Sequence, residues 1–104
     1  MSVRADVATL VERTLIADAA ACDVALEIGT VSSRRWASAT FVGARVVIEV
    51  AGPAGTAALR WISALPEAEF AIRGHLMADI AVTRHEREPE RFAATVELLM
   101  LEER

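Results

Sequence analysis

The sequence predicts an α+β fold: a two-layer sandwich whose antiparallel sheet, of four strands or five, carries two helices on one face in the order α-β-β-α-β-β. Three observations predict it. Apolar residues recur at three- and four-residue steps in two segments and at every second position elsewhere. Gly and Pro clusters punctuate the joints between segments. The 104 residues, 54% of them hydrophobic, suit a single domain spanning 1–104 with a real core.

The first helix is expected from Val3 to Ala20, because Val3, Val7, Leu10, Val11 and Leu15 share one stripe. Ser2 is placed to cap it, Asp6 favours the positive end of its dipole, and Arg13 lies nearer the other end. From Asp23 the period becomes two: Val24, Leu26 and Ile28 alternate with Asp23, Ala25 and Glu27, as in a strand with one buried face. The stretch Arg35–Ala51 reads in two ways. As one long strand bent at Gly43, it sets Trp36, Val42, Val46, Ile48 and Val50 on a single face. As two strands, it turns at Gly43-Ala44, where Gly suits a type II′ hairpin. The single strand is preferred, and the choice decides between four strands and five.

Gly52-Pro53-Ala54-Gly55 then breaks the chain. A short helix is expected over Ala54–Leu65, with Ala58, Leu59, Ile62 and Leu65 inward and Pro66 ending it. The clearest strand is Glu69–His85. Phe70, Ile72, Gly74, Leu76, Ala78, Ile80 and Val82 take its even positions, while Arg73, His75, Asp79 and His85 take odd ones. Glu86–Glu90 is a polar turn. Phe92, Ala94, Val96, Leu98 and Met100 alternate after it and close a hairpin.

Composition excludes several classes. A net charge of −4 and a pI near 5.1 oppose nucleic acid as the main partner. The longest uncharged run, Val50–Leu59, is half the length of a membrane span and contains Pro53, so no membrane partner is expected. Arg4, Asp6, Glu12 and Arg13 leave no continuous apolar region near the N-terminus, so no secretory signal is read there. With the solitary Cys22, expected as a small core residue, this points to the cytoplasm. All 11 basic residues are Arg, and Lys, Asn, Gln and Tyr are absent. The codons of Lys, Asn and Tyr are A/T-rich, so a high-GC bacterial source is expected. Without Lys there is no P-loop and no Schiff-base chemistry, and no G-x-S-x-G elbow positions a nucleophile. No cofactor is implied.

Candidate sites are few. Arg73, His75 and Asp79 share one face of the long strand, but a rise of about 3.3 Å per residue sets His75 and Asp79 roughly 13 Å apart. His85 is roughly 33 Å from His75 by the same rise, so the two histidines share no metal within one subunit and no metal site is expected. Arg34 and Arg35 beside Trp36 are the residue types that clamp a carboxylate or phosphate against an indole. Gly52–Thr56 is explained as a helix entry. On the last hairpin, the face expected to lie opposite the core carries Met77, Leu99 and Leu101 with Ala71, Ala81 and Ala93, a patch of the kind that marks association.

The function expected from these features is a non-enzymatic cytoplasmic bacterial domain, homodimeric through that patch, binding a protein partner or small ligand. Two alternatives stand beside it. One is a small enzyme whose active site forms across the dimer interface near His75. The other is a structural component of a phage or secretion system.

Overall fold

The computed structural model describes residues 6–103. Its order is α-β-β-α-β-β, with four antiparallel strands in one sheet and two helices, as the periodicities predict. Helix α1 spans Val7–Ala21. Asp6 is its N-cap, in extended conformation, with its carboxylate accepting from the Thr9 amide at 2.8 Å. The described helix starts at Val7, and the expected start at Val3 and cap at Ser2 lie outside the described residues. Asp23 ends the helical region in the left-handed conformation, φ 62°, which Asp tolerates better than most side chains. Val24 then donates back to the Ala19 carbonyl at 2.8 Å. This wrap delays β1 to Glu27–Ala37, four residues later than the alternation suggests.

Strand β2 spans Val42–Pro53, so the stretch expected as one bent strand is parts of two. The reversal is at Ser38–Phe41 and not at Gly43. Ser38 closes the turn itself: its amide donates to the Phe41 carbonyl at 2.7 Å, and its Oγ accepts from the Phe41 amide at 3.0 Å. Helix α2 spans Thr56–Ala64 and tightens into a 3₁₀ turn over Leu65–Glu67. Its buried stripe is Ala58, Trp61, Ile62 and Leu65, while Leu59, expected inward, is 40% exposed. A nine-residue helix has room for one stripe, and the large indole of Trp61 takes it. The Trp61 Nε1 donates to Asp18 on α1 at 2.9 Å, which ties the two helices together.

Strand β3 spans His75–Arg87 and β4 spans Arg91–Glu102. The expected strand start at Glu69 is overturned by Gly74, whose φ of 76° makes a turn closed by a bond from the His75 amide to the Ile72 carbonyl. Ile72 is still buried, but from a loop.

The sheet order is β1-β2-β4-β3, so α2 carries the chain between the two hairpins and places β2 against β4 at the centre. Val46, Ile48 and Val50 on β2, and Phe92, Ala94, Val96, Leu98 and Met100 on β4, all turn to the helix side and are buried. They meet Val11, Leu15 and Ala19 of α1 and the inner stripe of α2 in one core cluster. No polar or charged residue among those described is buried in it. Cys22, expected in the core, caps the C-terminus of α1 and is exposed.

Candidate functional site

Strand alternation sends every second side chain to the face away from the helices. Cross-strand register orders that open face into rows. At one end Trp36, Gly43, Leu101 and Leu76 lie side by side across β1, β2, β4 and β3. The next row is Arg34, Arg45, Leu99 and Asp79, and the one after is Ser32, Val47, Glu97 and Ala81. The far end is polar, with Glu49, Thr95 and Arg84 in one row and Glu27, Ala51, Ala93 and Glu86 in the last.

The apolar end has a local cause at Gly43. A Cβ there would collide with the Met100 carbonyl of β4, so only glycine permits this approach of the two central strands. The indole of Trp36, opposite Gly43 on β1, lines a shared hollow with Leu99 two strands away. The hollow encloses about 310 Å³, and Arg34 and Arg45 complete its lining. The Trp36 Nε1 is buried with no hydrogen-bond partner, a cost of about 1–3 kcal/mol.

Among the described residues, the charges of this face sort into ion pairs with three exceptions, Arg34, Glu49 and Asp79. Arg45 meets Glu97 at 3.6 Å, Arg84 meets Glu86 at 2.6 Å, and Arg91 meets Glu27 at 2.7 Å. Glu49 accepts from Thr30 Oγ1 at 2.6 Å; Glu86 first, and Glu49 to a lesser degree, raise the pKa of Arg84. Among the described residues Arg34 and Asp79 have no ion pair, although both stand in the same row. Three strand spacings, about 14 Å, separate them. Arg34 faces Arg45 directly, an arrangement of like charges that destabilises a sheet unless an anion offsets it.

Several expected groupings do not form. Arg35 pairs with Ala44 and so turns to the helix side, away from Arg34; the arginine beside Arg34 and Trp36 is Arg45. Sequence reasoning misses Arg45 because only the β1–β2 register brings it there. Met77 pairs with Met100 and packs against the core, so it does not belong to the open face. The cause is an irregularity between Met77 and Asp79, which inserts Ala78 and switches the parity of β3. A second one between Val82 and Arg84 switches it back. The first shift leaves His75 on the helix side and Asp79 on the open face. His75 Nδ1 donates to the Arg73 carbonyl at 3.1 Å, and Arg73 is exposed. Arg73, His75 and Asp79 are therefore not brought together. His85 also faces the helix side and sets its ring edge-on to Phe92 at 6.4 Å. No group of three metal-ligating side chains occurs among the described residues. Leu99 and Leu101 are on the open face, half-buried, as expected.

No family model, curated protein or solved structure matches this chain, so the open face is read on its own chemistry. Two guanidiniums beside an apolar row suit a carboxylate carried on an apolar surface. No helix among the described residues is long and apolar enough to cross a membrane.

Proposed function

We propose that this chain is a non-enzymatic binding domain that acts as a homodimer, with the open sheet face of one copy meeting the same face of the other. The observation that carries the reading is the uncovered apolar end of that face. Trp36, Leu76, Leu99 and Leu101 are contiguous there, and Leu76 is 59% exposed. Both helices pack on the other side, so no element of the described chain covers it. A four-strand face about 19 Å wide and 33 Å long has a footprint of about 600 Å². That approaches the roughly 800 Å² per copy of a standard interface. A face that supports association by burial, with charges largely paired among themselves, fits recognition better than catalysis.

The catalytic alternative near His75 gains nothing from this geometry. An open-face dimer leaves His75 on the helix side of the sheet, away from the interface. The lone thiol of Cys22, exposed at the end of α1, is compatible with the reducing cytoplasm of a bacterium, where we place the protein.

Light scattering at micromolar concentration tests the reading. The intact chain is expected at twice 11.2 kDa, and Leu99→Glu at 11.2 kDa with an unchanged circular dichroism spectrum. A chain that stays at 11.2 kDa up to about 100 μM, weaker than specific homodimers, contradicts it.

A further inference from the structure

We infer that the two copies meet with their strands aligned about a two-fold axis running along the strand direction between β2 and β4, so that Arg34 of each copy pairs with Asp79 of the other. The inference rests on the homodimer reading and adds to it the docking geometry and the residues that specify it.

The charge inventory of the open face carries the argument. Among the described residues, every other charged side chain on that face has a counter-charge or, for Glu49, a hydrogen bond and the field of Arg84. Arg34 and Asp79 are left over. They are opposite in sign, occupy one row, and stand on the two edge strands β1 and β3. Within one copy they are about 14 Å apart and do not meet. A two-fold axis along the strands lays β1 of one copy over β3 of the other, row upon row. It brings the leftover cation over the leftover anion twice, once on each side of the axis. The anion of the second copy would join Glu97, which already pairs with Arg45, in offsetting the Arg34–Arg45 apposition.

The same operation closes the apolar end, while in the last row it sets Glu27 of one copy over Glu86 of the other, each already paired with an arginine of its own copy. Trp36 comes over Leu76, and Leu101 comes over Gly43 beside Trp36, so the apolar ends close on each other. At the far end Ala51 meets Ala93, and Arg84 comes over Thr30 beside Glu49. Turning the axis across the strands fails this match, because it sets the Trp36–Leu76 row against the row that holds Glu27 and Glu86. Aligned packing near −30° is also what two twisted sheets adopt face to face. An edge-to-edge dimer through β1 would crowd Arg34 and Arg35 of both copies along one seam.

Two single variants, Arg34→Asp and Asp79→Arg, test the inference. Each alone faces like with like, and its dimer is expected to weaken at least about tenfold in sedimentation equilibrium. Mixed one to one, the introduced aspartate meets the introduced arginine, and the native Arg34 meets the native Asp79. The mixture is therefore expected to dimerise as the unmodified chain does. Neutral variants, Arg34→Gln and Asp79→Asn, guard against a folding failure: their dimers are expected to lose the salt sensitivity of the unmodified one between about 50 and 500 mM. Single variants that dimerise normally, or a mixture no tighter than its components, overturn the pairing. A dimer that Leu99→Glu dissociates but charge reversal leaves intact overturns the pairing and spares the homodimer reading. An unmodified chain that stays monomeric overturns both.

Discussion

At the scale of single residues, the open face is decided by positions that look ordinary in the sequence. Gly43 sits inside a strand, where glycine normally weakens pairing, yet no larger residue fits between β2 and the Met100 carbonyl. Its missing side chain lets β2 and β4 approach beside the hollow that Trp36 and Leu99 line with Arg34 and Arg45. Gly43→Ala is therefore expected to destabilise the chain by about 2–3 kcal/mol, through a backbone that must move to accept one methyl group. Gly29→Ala is the matched control, because its new Cβ meets Glu49 at 3.4 Å, an ordinary contact. Urea denaturation of both variants checks this, and equal midpoints contradict it. Arg34 and Arg35 show the other limit of reading residues as neighbours. Adjacent in sequence, they occupy opposite faces of the sheet, whereas Arg34 and Arg45 lie on different strands and share one.

At the scale of elements, the helix start illustrates how a local bond becomes a stability term with a pH dependence. The Asp6 carboxylate is held below its ordinary pKa, first by the bond from the Thr9 backbone amide. A folded-state pKa lower than the unfolded one favours the folded chain above the unfolded value, and that advantage is lost as the pH falls through the folded one. The thermal midpoint of the native chain between about pH 5 and pH 2 is expected to fall more steeply than that of Asp6→Asn, which keeps a cap that does not titrate. Parallel pH profiles of the two would contradict the capping role. The elements themselves are legible where one period runs unbroken. Phe92, Ala94, Val96, Leu98 and Met100 alternate without a break, and all five are buried on one face. On β3 the same reasoning fails in places, because Ala78 and Thr83 each add a residue opposite a continuous partner strand. Such irregularities leave no mark in composition, yet each moves the side chains beyond it to the other face. That is why simple alternation places Leu99, Leu101 and Asp79 on the correct face and misplaces His75, Met77 and His85. The turn at Ser38–Phe41 escapes the sequence for a related reason: a serine side chain closes it, while Gly43 offers the stronger turn signal.

At the scale of the whole molecule, the shortest dimension is 22 Å, the depth of one sheet and one layer of helices, each about 10 Å thick. Two layers bury one side of the sheet and leave the other to find its own cover. The apolar row at one end and the leftover Arg34 and Asp79 are the features on which the proposed cover rests, a second copy turned about the strand direction. The irregularities in β3 bear on the proposed dimer in two ways. They set Asp79 on the open face although Met77 lies on the helix side, and they break the regular edge along which another strand could add. An equal mixture of carbon-13-labelled and unlabelled chain, studied by isotope-filtered nuclear Overhauser spectroscopy, tests this most directly. Cross-copy contacts between the Trp36 indole and the Leu76 methyl groups, with Leu99 and Leu101 also showing them, are the predicted result. Cross-copy contacts confined to the backbone amides of β1, or none from those methyl groups, would contradict it.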